Sequence, residues 1–185
     1  MLFTHIDRLQ ALLGLLREGS IDGMEFYQRV ARIGADAVRS SRAGVWLFRD
    51  EVNGCSITCM GMYDRVRGRT TNVPDVHSSQ AGLFFDALTS TGHVVADEAV
   101  SHPATRLFFE QKITQLNVRS LAATAFSVNG KVYGAFTCTQ IDTPRHWTQK
   151  EIILLKRLGA NASLVLREAD RWLQSQKDGH GLPVS

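Results

Sequence analysis

The chain has 185 residues, 44% of them hydrophobic and 21% charged, with a formal net charge of +3. This length suits one domain with flanking helices, and the composition is that of a folded protein rather than a disordered or fibrous one. No run approaches the roughly 18 consecutive apolar residues of a membrane span, and the N-terminus lacks the features of a signal peptide. The three cysteines form no disulfide framework, so we expect a cytoplasmic protein.

Basic residues are spread along the chain, with one local excess at Arg65, Arg67 and Arg69 in the segment RVRGR. Nucleic-acid-binding proteins concentrate far more positive charge on one face, so neither a nucleic acid nor a membrane is expected as a partner. We interpret the cluster as a solvated strand edge or loop. Contact with a phosphate-bearing partner is the less favoured alternative.

Two helices are predicted at the start of the chain. Residues 2–18 repeat leucine and isoleucine at spacings of three and four, which is a short coiled-coil seam suited to pairing in a dimer. A second helix is predicted to begin near Asp22, where Glu25 completes a capping box. Its apolar face is marked by Phe26, Val30, Ile33 and Ala37.

Strand patterns dominate the middle of the chain. Residues 43–49 and 55–63 are predicted strands, joined by a turn that carries Asn53-Gly54. Ser78 is expected to cap the next helix, which is followed by a short strand at 93–96. A short helix is then expected to have Pro103 in its first turn.

The clearest supersecondary signal is a hairpin followed by a long helix. Residues 120–128 and 131–140 are predicted strands on either side of Asn129-Gly130. Thr148 and Glu151 form a full capping box at the start of the last helix, which is predicted to run to about residue 173. Residues 174–185 show no periodicity, and we expect a disordered tail there.

The last helix carries two apolar stripes, although a helix packed only on a sheet needs one. The stripe with strict three-four spacing is therefore predicted to pack on a partner helix, together with residues 1–20, in a homodimer. A broad face buried within the protomer is the alternative interpretation. The predicted dimer contacts are Leu9, Leu13, Leu16, Leu155, Gly159, Ala162 and Leu166.

The order of elements predicts an α+β fold with a central antiparallel sheet of five or six strands flanked by helices, the N- and C-terminal amphipathic helices packing together. Its motifs are GVWLF at 44–48, FFDALTSTGHVVADEAVSHP at 84–103, NVRSLAATAFSVNGKVYGAFTCTQ at 117–140 and HWTQKEIILLKRLGANASLVL at 146–166. Through this ordered set the sequence resembles the GAF domain, a PAS-related sensory module of bacterial signalling proteins. The domain is expected to occupy residues 21–173.

The resemblance implies one of two functions. The domain either binds an unidentified small molecule between the sheet and the short helices, or serves as a ligand-free dimeric relay. Family members usually sit beside an output domain such as a histidine kinase, a cyclic-dinucleotide enzyme or a transcription activator. The chain is therefore expected to be either a fragment of a larger regulator or a stand-alone member.

Catalysis is not expected, and no cofactor is specified. Some GAF domains reduce free methionine sulfoxide, but Cys55, Cys59 and Cys138 lie on predicted strands and do not match the cysteine-bearing loop of that group. The bilin and cyclic-nucleotide motifs of other members are also absent. A haem-binding member needs an axial histidine, and no specifying motif accompanies His77, His93, His102 or His146. The sequence contains no phosphate-binding loop and no Cys-x-x-Cys metal pair.

The candidate ligand-binding residues are those predicted on the sheet face and the two short helices. Aromatic side chains would supply apolar or stacking surface, and Asp97 and Ser120 would orient the ligand. Because strand residues alternate, Ala122 and Thr124 are placed on the same face as Ser120. Ordinary core packing, or capping of a turn by Asp97, is the competing explanation. The full candidate set is Trp46, Phe84, Phe85, Asp97, Phe109, Ser120, Ala122, Thr124, Phe136 and Cys138.

Overall fold

The computed structural model describes residues 2–71, 73–110 and 117–179. Five helices and seven strands follow one another through this part of the chain. In chain order they are α1 (Leu2–Arg17), α2 (Gly23–Val38), β1 (Arg42–Glu51), β2 (Gly54–Asp64), β3 (Arg69–Thr70), β4 (Val76–His77), α3 (Ser78–Thr91), β5 (His93–Ala96), α4 (Arg106–Glu110), β6 (Val118–Val128), β7 (Lys131–Ile141) and α5 (Gln149–Gly179).

The seven strands form one antiparallel sheet, which confirms the predicted fold class and exceeds the larger predicted number, six, by one strand. The strand order is β3-β2-β1-β7-β6-β5, and β4 also pairs with β2. Helices α1, α2 and α5 cover one face of the sheet, and α3 and α4 cover the other. We call these the α5 face and the α3 face.

The core on the α5 face is built from the three long helices and the central strands. Phe26 and Val30 of α2 are 0% and 2% exposed, and Phe136 of β7 is 2% exposed between α2 and the sheet. Helix α1 packs on α5 and α2 of the same protomer. The predicted contact between the N- and C-terminal helices is therefore made within one chain.

The seven side chains predicted at a dimer contact are buried inside the protomer. Leu9, Leu16 and Leu166 are at most 1% exposed, and the added Cβ of a residue replacing Gly159 would meet Thr124 of β6. Leu13, Leu155 and Ala162 belong to the same core. The structure therefore agrees with the alternative interpretation, a broad face buried within the protomer. The three-four stripe of α5 packs on the sheet and on α1 of the same chain.

Local signals at the ends of the helices are confirmed in two places and wrong in two. Pro103 is not in the first turn of the short helix, because α4 begins at Arg106. Asp22 caps α2 by accepting a hydrogen bond from the Glu25 amide at 2.7 Å. Thr148 and Glu151 exchange hydrogen bonds of 2.9 and 3.3 Å at the start of α5. The cap of α3 is His77 rather than Ser78, whose hydroxyl instead accepts from the Cys55 amide.

Turn chemistry explains the two hairpins. Asn129 and Gly130 have φ angles of 52° and 77°, as a two-residue hairpin turn between β6 and β7 requires. The turn between β1 and β2 is formed by residues 52 and 53, because Glu51 pairs with Gly54. Gly54 opens β2 with φ 136°, a conformation that L residues rarely adopt.

Helix α5 is longer than predicted and continues to Gly179. The predicted disordered tail is thus helical over residues 174–179, and residues 180–185 lie outside the described part of the chain. Within the described ranges, no helix is long and apolar enough to cross a membrane.

Candidate functional site

A cavity of about 370 Å³ lies on the α3 face, between α3, the first hairpin and the start of β7. Strand β1 contributes Phe48 and Asp50, which follow Trp46 at the two-residue period of one strand face. Helix α3 contributes residues spaced by three and four, which share one helix face. The lining residues are Phe48, Asp50, Cys55, Ser78, Gly82, Phe85, Asp86, Thr89, Lys131, Val132 and Tyr133.

The cavity combines an aromatic wall with charged groups. The rings of Phe48 and Phe85 pack with their centroids 5.3 Å apart. Asp50 and Asp86 supply carboxylates and Lys131 supplies an ammonium group. This is the usual chemistry of a small-molecule site, where apolar surface provides affinity and a few polar groups fix orientation. In the described residues no group of three His, Cys, Asp or Glu side chains could hold a metal ion.

Tyr133 borders both the cavity and α5. It lies at a bulge of β7, where Phe126 pairs with Gly134 and Ser127 pairs with Val132. Its hydroxyl donates a hydrogen bond to the Ser163 carbonyl of α5. Burial raises the pKa of this hydroxyl to about 12, so it stays protonated and donates at any physiological pH.

Trp46, Phe84, Phe85 and Phe109 lie on the α3 face as predicted, but only Phe85 lines the cavity. The indole Nε1 of Trp46 donates to Thr137 Oγ1 at 2.9 Å, and Phe84 packs edge-on against Phe108 with centroids 5.0 Å apart. Phe109 is half-buried against the same core. Three of these four aromatic residues are therefore core of the α3 face.

Four other candidates, Ala122, Thr124, Phe136 and Cys138, lie on the α5 face and cannot line the cavity. Thr124 donates to the Leu155 carbonyl of α5 at 3.4 Å, and Phe136 packs against Gly34 of α2. The predicted alternation along β6 and β7 is correct, but the face that carries these residues packs on α2 and α5 and not on the cavity. Both faces of these strands are buried, so polarity does not distinguish them.

Asp97 and Ser120 belong to a hydrogen-bonded cluster at the start of α5. The Asp97 carboxylate accepts from the Trp147 amide at 2.9 Å and contacts the His146 ring. Ser120 donates to the Asp97 carbonyl at 2.7 Å and accepts from the Arg145 amide at 2.6 Å. We call these five residues the Asp97 cluster. It ties the segment after β5 to the residues that precede α5.

Arg145 extends the Asp97 cluster to the end of α2. Its guanidinium donates to the Val38 carbonyl at 2.6 Å, stacks over the Trp147 ring at 4.4 Å and pairs with Glu151. Burial disfavours the charged form of Glu151, but hydrogen bonds from Thr148 and Arg145 outweigh burial and lower the pKa of this carboxyl. The cluster is thus a structural joint between three elements rather than part of the cavity.

Sequence reasoning missed most of the cavity lining. One signal was available for α3, where Gly82, Phe85, Asp86 and Thr89 recur at helical spacing. No comparable signal marks Lys131, because it reaches the cavity only through the pairing of β7 with β1.

Comparisons with known proteins agree with this architecture. The chain matches the GAF domain family over residues 22–166. The GAF domain of PixJ from Thermosynechococcus elongatus, in its blue-light absorbing form, has a TM-score of 0.65 and 16% identity, covering 88% of this chain and 95% of that one. No curated protein sequence matches.

Two further similar structures are GAF domains of phosphoenolpyruvate-protein phosphotransferases. The one from Acinetobacter has a TM-score of 0.64 and 16% identity, and covers 91% of this chain and 95% of that one. The one from Coxiella burnetii has a TM-score of 0.66 and 10% identity, and covers 92% and 95%. At these identities the likeness concerns the fold, and the family match over most of the chain shows that this protein belongs to the GAF domain family.

Proposed function

We propose that the protein is a sensory domain that binds a small molecule in the cavity under α3 and relays its occupancy through α5. The observation that carries this proposal is the position of Tyr133, which borders the cavity and donates a hydrogen bond to α5. A ligand that displaces this residue would act on α5 directly. Family membership supports the sensory role, and GAF domains typically sit in signalling proteins with output domains.

The length of α5 fits a relay element. The helix has 31 residues and would span about 46 Å at 1.5 Å per residue. Its hydrogen bonds to the rest of the domain include those of Tyr133 near its middle, of Thr124 on β6, and of the Asp97 cluster just before its start. A ligand with different affinities for two arrangements of these contacts would shift the population of α5 positions. An attached histidine kinase, cyclic-dinucleotide enzyme or transcription activator is the proposed receiver, in the cytoplasm.

Dimerisation is proposed through the exposed side of α5 rather than through its buried stripe. Ile153 and Leu164 are 48% and 65% exposed, and Ala160, between them in the chain, is also exposed. Their spacings of seven and four place these residues on one helix face. This face supports the alternative function, a ligand-free dimerisation module, as well as the sensory one.

Blocking the cavity separates the two functions. A Cβ at Gly82 would meet no heavy atom within 4 Å, so Gly82→Leu should fill the cavity without a clash near the backbone. Gly14→Leu in α1 is the matched control, because its Cβ also meets open space. Native mass spectrometry of gently purified protein reports any retained small molecule together with the oligomeric state.

The sensory proposal predicts extra mass on the wild type and on Gly14→Leu, and its loss from Gly82→Leu. Gly82→Leu should remain folded, because replacing a helical glycine gains up to about 1 kcal/mol. Retention of the mass by Gly82→Leu would place the ligand outside the cavity and contradict the proposal. An empty dimer from several expression hosts would favour the dimerisation module instead.

An enzymatic role as a free methionine sulfoxide reductase is a weaker proposal. Cys59 packs on the α3 face and Cys138 on the α5 face, so the sheet separates the two thiols. Burial raises the pKa of each to about 12, which keeps both as unreactive thiols at neutral pH. This proposal would be supported if the protein reduced free methionine sulfoxide and lost that activity when Cys59 and Cys138 were replaced by Ser.

A further inference from the structure

The three arginines of the RVRGR segment have different environments. Arg65 donates to the carbonyls of Ser40 and Arg39 at 3.0 and 3.2 Å, beyond the end of α2. Arg67 lies 4.0 Å from the Asp64 carboxylate. Arg69 has no ion pair among the described residues and lies at the mouth of a groove. Backbone carbonyls thus hold Arg65, a long contact to a carboxylate partly compensates Arg67, and Arg69 is available to a ligand.

The groove has a volume of about 840 Å³ and lies between α1, α2 and the β2–β3 edge of the sheet. It is on the α5 face, so the sheet separates it from the cavity under α3. Four arginines from three separate elements contribute to it, against one glutamate. Its lining is Arg8, Ala11, Leu12, Glu25, Gln28, Arg29, Arg32, Ile33, Tyr63, Gly68, Arg69 and Thr70.

The positive charge of the groove is only partly compensated. Arg29 is paired with Glu25 at 2.6 Å. The Arg32 guanidinium lies 3.8 Å from the Asp36 carboxylate, which is a long contact, and the Arg32 side chain is 60% exposed. The same guanidinium lies 5.5 Å from the centre of the Tyr63 ring. Arg8, like Arg69, makes no ion pair within the part of the chain that the structure describes. At least two guanidinium groups are therefore without a carboxylate partner at this site.

We propose that this groove binds a small ligand carrying two or more linked phosphate groups. A guanidinium presents paired donors that match phosphate oxygens, and it is always charged. The arginines come from three separate elements, α1, α2 and β3, and a chain of linked phosphates could contact more of them than a single phosphate could. Thr70 of β3 and Gln28 of α2 also line the groove and can supply neutral donors.

The ligand would connect α1 to the domain. Arg8 is on α1, and α1 also contacts α2 and α5 through leucines and pairs with Glu168 of α5 through Arg17. A phosphate chain held by Arg8 and Arg69 would join α1 to the edge of the sheet. Because α1 also packs on α5, a ligand in the groove could change the position of α5, as a ligand in the cavity could. The groove and the cavity lie on opposite faces of the sheet.

Isothermal titration calorimetry with pyrophosphate, ATP and adenosine tests this proposal on the intact chain. Pyrophosphate and ATP should bind and adenosine should not, and the affinity should fall as salt screens the exposed arginines. Arg69→Ala and Arg8→Ala should each weaken binding about tenfold, the loss of one charge-assisted hydrogen bond. Arg157→Ala, which removes an exposed arginine of α5 outside the groove, is the control and should bind as the wild type does.

The two phosphate probes also distinguish the sources of the phosphates. Equal affinity for pyrophosphate and ATP means that the phosphates alone are recognised, and tighter binding of ATP means that a nucleoside contributes; both outcomes support the proposal. Absence of binding at millimolar concentration would overturn it. So would binding that Arg69→Ala and Arg8→Ala leave unchanged, or a clear preference for a single-stranded oligonucleotide over ATP.

Discussion

Replacement of Gly34 by Ala probes the packing of α2 on the sheet. A Cβ at position 34 would lie 2.8 Å from Cε2 of Phe136 and closer still to Cζ and Cε1 of the same ring. Carbon atoms pack at about 3.5–4.0 Å, so the ring would have to move by roughly 1 Å or more. Phe136 is 2% exposed on a strand paired on both sides, so it has little room to move.

The size of the effect follows from two opposing terms. Overpacking a core costs about 1–3 kcal/mol, and this clash belongs at the upper end because it involves three ring atoms. Alanine gains about 1 kcal/mol over glycine in helix propensity. We therefore expect Gly34→Ala to lower the free energy of unfolding by about 2 kcal/mol, or the melting temperature by about 4–8 °C.

Equilibrium unfolding in urea, followed by circular dichroism, measures this loss. Gly14→Ala is the control, because its Cβ meets open space, and it should be neutral or slightly stabilising. In a double-mutant cycle, Phe136→Leu should relieve the clash. The double variant should therefore lose about 1 kcal/mol less free energy of unfolding than the two single variants lose when their losses are added. Unchanged stability of Gly34→Ala, or strict additivity in the cycle, would refute this account of the packing.

Three further predictions concern hydrogen bonds and pH. The Tyr27 hydroxyl is buried and has no hydrogen-bond partner among the residues that the structure describes, so Tyr27→Phe should be neutral or stabilising in urea unfolding. Tyr133→Phe, which removes the hydrogen bond to α5, should instead cost about 1 kcal/mol. Asp97→Ala should cost about 1–3 kcal/mol by leaving the Trp147 amide without its acceptor, and hydrogen exchange of that amide should quicken; equal protection in the wild type and the variant would contradict the structural joint. The pKa values of Asp64 and Glu151 lie below their ordinary 3.8 and 4.5, so in acid the unfolded chain binds more protons than the folded one. The free energy of unfolding should therefore fall as the pH drops below about 4.5 and through the lowered pKa values. Melting temperatures measured across an acid titration would detect or disprove this trend.

Local chemistry accounts for the parts of the fold that the sequence predicted well. The Asp22 and Thr148 caps and the Asn129-Gly130 turn involve residues no more than three apart in the chain. Such signals fix where an element begins or ends whatever it packs against. The misplaced cap of α3 is instructive, since His77 and Ser78 are adjacent and both can accept a hydrogen bond from a backbone amide.

The candidate site was predicted less well, because its residues are brought together by strand pairing. Phe85 was a candidate because it lies on one of the two predicted short helices, but Lys131 and Asp50 come together only in the paired sheet. Phe136 was placed at the ligand although it packs against α2. A strand buried on both faces has apolar residues at every position, so alternation cannot tell the ligand side from the helix side.

The sequence by itself determined the order of the longer elements and the antiparallel sheet, because hydrophobic period, caps and turn residues act over a few residues. The family was indicated by the resemblance of the ordered motifs. Only the tertiary structure decided which partner each apolar surface meets. The stripe containing Leu155 and Leu166 could have packed on a second chain, but it is covered by α1 and the sheet of its own chain. Asp97 likewise acquires its role from Trp147, 50 residues away. Contacts at such separations depend on how the whole chain folds, and no local pattern records them.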